Sequence, residues 1–226
     1  MIATDNHLGY AERDRIRRDD SFVTFEEILC TAKERNVDFL LLGGDLFHDN
    51  KPSRETLHRT LKMFREYVLG DKPVPLCVQS NQKVNFKDNF GTVNYEDPNF
   101  NVSLPVFAIH GNHDDPTGEN GLSAMDLLSV SNLINYFGKV ESVDNIQVKP
   151  ILINKGCTKL ALYGLGNIRD ERLYQTFKQK NVKFFRPIGD NTAATSEWFN
   201  LFVLHQNRAQ HNKKVYHQRF HASWIL

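Results

Sequence analysis

Short apolar runs that stop at Gly, Asp, Asn or His recur along this chain, each followed by a stretch whose apolar residues return every three or four positions. Residues 37–42, 106–109 and 198–204 are such runs. Their length and near-continuous hydrophobicity predict strands buried on both faces. Between them the period becomes that of a helix. Phe25, Ile28, Leu29 and Ala32 share one face of a helix that Asp20 or Ser21 can cap and Asn36 ends. Leu57, Leu61, Phe64 and Val68 align behind a capping Ser53, with Gly70 as the stop, and a third helix is expected over 123–137 on Leu127, Leu128, Ile134 and Phe137. Strands alternating with helices imply an α/β layered fold, in which ligands gather at the C-terminal ends of the strands.

Later the pattern changes. Residues 148–153 and 158–163 flank Asn154-Lys155-Gly156, so an antiparallel hairpin should join the sheet. The stretch 71–103 is long, rich in Asn, Asp and Lys and weakly periodic, which predicts a surface insertion. There is no internal repeat or low-complexity tract. With 226 residues the chain should form one domain with a sizeable core. Twenty-eight Lys and Arg against 27 Asp and Glu give no overall attraction to nucleic acid, so any such binding must come from local patches. Cys30, Cys77 and Cys157 are odd in number and in no CxxC spacing, which argues against a disulfide framework or zinc knuckle and suits a reducing compartment. No run approaches the ~20 apolar residues of a membrane helix. The first residues lack the blocks of a signal peptide, so a soluble intracellular protein without a membrane is expected.

Hard, metal-seeking side chains stand at four strand ends: Asp5-Asn6-His7, Gly44-Asp45, Gly111-Asn112-His113-Asp114 and His205. Carboxylate, amide and imidazole donors without thiolate suit Mn²⁺, Mg²⁺ or Fe²⁺ and are compatible with catalytic Zn²⁺. Asp5 and His7 would point the same way if their strand persisted. Gly43, Gly44 and Gly111 allow sharp turns that present Asp45 and Asn112, and one carboxylate between two ions can bridge them. Singly, each piece reads as a turn, a helix cap or a hydrogen-bonded histidine. Independent turns have no reason to fall in this order at four strand ends.

That order resembles the calcineurin-like metallophosphoesterase superfamily. Within it, residues 3–9, 42–48, 109–116 and 204–208 are similar to the eukaryotic double-strand break repair nucleases, and the likeness runs from about residue 2 to residue 212. Tyr163-Gly164-Leu165-Gly166, Asp170-Glu171-Arg172-Leu173 and the 71–103 segment share it. The resemblance implies a layered fold with mixed central β-sheets flanked by helices. It also implies two Mn²⁺ ions, with Mg²⁺ or Fe²⁺ as alternatives. Asp5 and His7 would hold one ion, Asn112 and His205 the other, and Asp45 both. His113 would act as the acid or transition-state stabiliser, with Asp114 orienting its ring. The implied activity is two-metal hydrolysis of DNA phosphodiesters, as a 3′–5′ exonuclease and single-strand endonuclease in meiosis and double-strand break repair. The implied setting is the nucleus, as a homodimer working with a coiled-coil ABC-type ATPase and a nibrin-like subunit, with part of the Leu57 and Leu127 helices packing across the two-fold axis.

The family's later Gly-His-x-His, one histidine for each ion, does not occur here, and 213–226 diverges. Only four residues precede Asp5. A nuclease domain over 1–212, truncated at both ends and incomplete at the C-terminus, with weak Mn²⁺ binding and impaired cutting, is therefore expected. An i, i+4 pair, His217 and His221, is a remote substitute. Arg13, Arg15, Arg17 and Arg18 follow the first motif and could contact phosphates, although Asp14, Asp19 and Asp20 are interleaved with them. Two other classes compete: a phosphatase of the same superfamily, and a catalytically inactive fragment that binds DNA or partners. Protein phosphatases carry an arginine after Gly-Asp, whereas Leu46-Phe47-His48 follows here.

Overall fold

The structure, a computed structural model, describes residues 1–87, 90–117, 119–187 and 197–207. In chain order its elements are β1 (Ile2–Ala3), α1 (Asp20–Glu34), β2 (Leu40–Leu42), α2 (Arg54–Val68), β3 (Cys77–Val78), α3 (Gln82–Asn85), β4 (Val106–Ala108), α4 (Ala124–Val130), β5 (Asn135–Tyr136), β6 (Ile146–Val148), β7 (Ile151–Lys155), β8 (Thr158–Leu165), α5 (Asp170–Lys178), β9 (Val182–Phe184) and β10 (Phe199–Leu204). One sheet runs β1-β2-β4-β5 and is parallel throughout. A second runs β10-β8-β7-β3 and is mixed, parallel only between β10 and β8. β6 and β9 form a small parallel pair.

The layers follow from strand periodicity, because successive side chains leave opposite faces. Leu40 and Leu42 enter a core with Phe22, Phe25 and Leu29 of α1 and Phe64 and Val68 of α2. Leu41 enters a different core between the two sheets, with Phe107, Ile109, Ile153 and Leu162. On β8, Leu162 faces that inter-sheet core while Ala161, Tyr163 and Leu165 pack with Leu173 of α5. The order is thus helices, sheet, sheet, helix, as the resemblance implies. Phe25 and Phe64 are wholly buried with ring centroids 5.6 Å apart, and burying such a ring contributes roughly 2–3 kcal/mol to the α1–α2 contact.

Helix ends show where local chemistry decides. α1 is preceded by Asp19, whose side chain does not cap it; that carboxylate pairs with Arg59 at 2.7 Å instead, so neither Asp20 nor Ser21 serves as the cap. Asn36 does end α1: at φ 49° its N–H donates to Lys33 O while Val37 N–H donates to Ala32 O, the paired closure of a left-handed C-terminus. Ser53 caps α2 by accepting from Thr56 N–H. α4 opens at Ser123 with a reciprocal Asp126 bond but stops at Val130, not Phe137. Asn132, at φ 60°, closes it in the same left-handed way, and Asn135 and Tyr136 then join β4 as β5.

Two further expectations are corrected. Residues 148–153 are not one strand: Val148 belongs to β6 and Ile151 to β7, divided at Pro150, which has no N–H for a ladder. The hairpin turn sits on Gly156 and Cys157, since Lys155 pairs with Thr158. The 71–103 segment is not confined to the surface. It supplies β3 to the second sheet and buries Phe86 and Val93 between the sheets. Buried Asn94 is tied to Asn132 and Asn135: its N–H donates to Asn135 Oδ1 at 2.7 Å, and Asn135 Nδ2 donates to its Oδ1 at 2.8 Å. A satisfied polar network of this kind fixes one docking register. Residues 208–226, with His211, His217 and His221, lie outside the described residues. No described helix is long and apolar enough to cross a membrane.

Candidate metal centre

β1, β2, β4 and β10 deliver their C-terminal loops to one place. β1 ends at Ala3, so Asp5 and His7 are not aligned by strand alternation as expected. They turn instead, at φ 54° and 47°, and Asp45 does the same at φ 52°. Left-handed backbone at non-glycine residues costs of order 1 kcal/mol each. Here a ladder continuing past the strands holds it in place: Asp5 N–H donates to Gly44 O, His7 N–H to Asp45 O and Leu8 N–H to Leu46 O, at 2.8–3.1 Å.

Asp45 is the hub. It is 2 % exposed, and its Oδ2 lies 3.3 Å from His205 Nε2 and 3.8 Å from His7 Nε2. Its Oδ1 accepts the His113 N–H at 2.8 Å. Burial opposes its charge, yet hydrogen bonds from His205 and His113 prevail and hold its pKa below the usual carboxylate range. Two glycines make the convergence possible. A Cβ on Gly111 would fall 2.5 Å from Asp45 N and 2.6 Å from its Cγ, and one on Gly44 would fall 2.8 Å from His205 Cγ.

His205 comes from the end of β10, where Asn167 Nδ2 donates to its carbonyl at 3.2 Å. Its Nδ1 is 2.9 Å from Gly43 O, and a carbonyl can only accept, so Nδ1 carries a proton and Nε2 is the nitrogen that faces Asp45. Fixing one imidazole nitrogen on a backbone carbonyl is how metal-ligating histidines are oriented. Two donors each about 2.1 Å from one hard cation at right angles lie about 3 Å apart, close to the Asp45–His205 spacing. Asp5, Asp45 and His205 bring their donor atoms within 4.8 Å of one another, and so do His7, His48 and His113. His7 Nδ1 is buried with no hydrogen-bond partner among the described residues. The donor set therefore fits divalent cations. Asn112 is exposed beside it, between Gly111 and His113, both of which touch Asp45. In the cation-free chain, the hydrogen bond to Asp45 raises the His205 pKa to about 9.

His113 Nδ1 lies 2.6 Å from the His48 carbonyl and so donates to it, leaving Nε2 available. Asp114 does not orient this ring. Its buried carboxylate is spent on backbone, accepting Gly111 N–H at 2.7 Å, Leu46 N–H at 2.7 Å and Phe47 N–H at 3.3 Å, and so locks the Asp45 loop to the Gly111 loop. Burial pushes its pKa up to about 6. His48 was not singled out from the sequence. Its ring lies 5.4 Å from His7 and 5.2 Å from His113, and the available signal was a histidine three positions beyond Asp45. The arginine loop reaches this cluster through Tyr10, whose ring meets His48 edge-on at 5.0 Å and carries Arg17 Cζ 5.4 Å from its centroid. Arg13, Arg15, Arg17 and Arg18 are all exposed.

A family model described as calcineurin-like phosphoesterase matches residues 1–224. The chain belongs to that family. Among curated relatives, this calcineurin-like phosphoesterase is 57 % identical over 219 residues to the double-strand break repair protein MRE11 of Oryza sativa subsp. indica, covering 95 % of the chain and 31 % of the relative. It is 58 % identical to the MRE11 protein of Arabidopsis thaliana, covering 95 % of the chain and 30 % of that protein. The human MRE11 protein is 55 % identical over 212 residues, with 93 % of the chain and 29 % of that protein covered. The chain thus spans about 30 % of the length of the relatives it matches.

Proposed function

We propose that this chain carries the two-metal centre of a DNA phosphodiesterase that acts in the nucleus on double-strand breaks, as a 3′–5′ exonuclease and single-strand endonuclease dependent on Mn²⁺. The observation that carries the reading is Asp45, one buried carboxylate oxygen that lies 3.8 Å from His7 Nε2 and 3.3 Å from His205 Nε2, within reach of donors to both ions, as a bridging ligand needs to be. Asp5 and His7 would hold one ion, Asn112 and His205 the other, and Asp45 would serve both. Such ions, when bound, lower the pKa of water and neutralise the phosphodiester. The chain's own residues do the rest. His113 keeps its Nδ1 proton on the His48 carbonyl and, when Nε2 carries a second proton, would pass that proton to the leaving oxygen or stabilise charge on the phosphoryl group, a contribution of roughly 10²–10⁴-fold. Asp114 keeps the Asp45 and Gly111 loops in register.

DNA as substrate is supported by relatives whose names are those of double-strand break repair proteins. The same reading includes a homodimer, a coiled-coil ABC-type ATPase and a nibrin-like subunit. Exposed Leu127 and Val130 on α4 offer apolar surface for the dimer, and sedimentation of the chain checks it. The test of function is to offer DNA oligonucleotides, a phosphopeptide and p-nitrophenyl phosphate with Mn²⁺. DNA strand cleavage abolished by Asp45→Asn is expected, and preferential phosphopeptide hydrolysis would overturn the DNA reading.

A further inference from the structure

Ile16 is 88 % exposed, more than any other large apolar side chain among the described residues. A single exposed apolar residue is ordinary on a protein surface, but this one is fixed, flanked and placed. It is fixed because Asp14 Oδ1 accepts the N–H groups of Ile16 at 2.8 Å and Arg17 at 3.2 Å, which makes the tip a side-chain-closed turn. The Arg17 side chain is itself pinned, donating to Asp20 at 3.2 Å and lying over the Tyr10 ring. It is flanked because Arg13 and Arg15 make no ion pair among the described residues, while Asp14, Asp19 and Asp20 are committed to the turn, to Arg59 and to Arg17. It is placed because Tyr10 touches His48 in the histidine cluster.

From this we infer that Ile16 is a wedge that reads DNA ends and unpaired bases, packing on an exposed base face while Arg13 and Arg15 hold the adjoining phosphates. The inference rests on the DNA reading above and specifies which DNA the site takes. Inside a continuous duplex each base is stacked on both sides, and inserting an apolar side chain costs a few kcal/mol of unstacking. A terminal or unpaired base presents its face without that cost. Because the turn is already closed, Ile16 can be covered by DNA without ordering the loop at the moment of binding.

The experiment compares the chain with its Ile16→Ala and Ile16→Leu variants on a linear duplex and on the same sequence as a covalently closed circle, with metal omitted to prevent cutting. The linear duplex carries 2-aminopurine at its terminal base as a reporter of contact on that base's exposed face. The wild-type chain should change the reporter's fluorescence. Ile16→Ala should lose most of that change and bind the linear duplex about tenfold more weakly, as expected for removing roughly two methylene groups of contact. Affinity for the circle should stay unchanged, and Ile16→Leu should retain the wild-type behaviour. Equal binding of the linear duplex by Ile16→Ala and wild type, or an equal loss on linear and circular DNA, would overturn the wedge alone. Failure of the wild-type chain to bind either DNA would instead remove the DNA reading, and the wedge with it.

Discussion

Gly111→Ala isolates the dependence of the centre on one missing methyl group. The added Cβ would stand 2.5 Å from Asp45 N and 2.6 Å from Asp45 Cγ. A contact with a backbone nitrogen cannot be relieved by a rotamer change, so either the Gly111 loop withdraws or Asp45 leaves its place. Overpacking of this kind costs about 1–3 kcal/mol. Losing the His113 N–H bond to the Asp45 carboxylate, 2.8 Å in the native chain, costs about 1.5–3 kcal/mol more if it breaks entirely. The stiffer unfolded chain returns about 0.4–1 kcal/mol. A net loss of about 2–4 kcal/mol corresponds to a melting temperature lower by about 5–15 °C for a domain of this size. Thermal unfolding in EDTA reads the stability, and calorimetric titration with Mn²⁺ reads the site, whose affinity should fall at least about tenfold as Asp45 moves. Melting within about 2 °C of wild type, with unchanged Mn²⁺ affinity, would refute the argument that Gly111 is required by Asp45.

Four further outcomes follow from the same structure. The His205 pKa of about 9 means that an incoming ion must displace a proton at neutral pH, so Mn²⁺ affinity should rise about tenfold per unit from pH 7 to pH 9 and then level; a flat profile by calorimetry would contradict this. In the cation-free chain the sign is opposite: the raised pKa makes the Asp45 pair stabilising below pH 6.5 and lost as pH rises through about 9, which urea unfolding in EDTA can follow. Asp114→Asn turns an amide donor toward backbone N–H groups that need acceptors and should cost about 2–4 kcal/mol, visible as a lower denaturant midpoint; an unchanged midpoint would show that the two loops are held by something else. Replacing both Arg13 and Arg15 with Ala should weaken DNA binding on every sequence and flatten the plot of log affinity against log salt by about two units, whereas an unaltered slope would make them solvated surface charges.

Much of this protein was written in its hydrophobic pattern. The two-faced burial of β2, the Phe25–Leu29 face of α1, the Ser53 cap and the Asn36 stop are local consequences of side-chain chemistry, and each stands where the sequence indicated. So do the four strand ends bearing Asp5, Asp45, His113 and His205, each just beyond a short apolar run. Tertiary structure decided what these residues touch. Asp114 looked like the partner of its neighbour's ring, but an acceptor-only carboxylate with 0 % exposure goes to the backbone N–H groups that packing brings to it. Asn135 looked helical and became strand, since its side chain satisfies Asn94 in a region 41 residues away along the chain. His48 entered the histidine cluster only when the loops after β1 and β2 were laid side by side. The sequence by itself determined which donors exist and where each strand ends, because those are short-range properties. Which donors meet depends on contacts between residues far apart in the chain, such as Asp45 Oδ2 against His205 Nε2, and no local period encodes these.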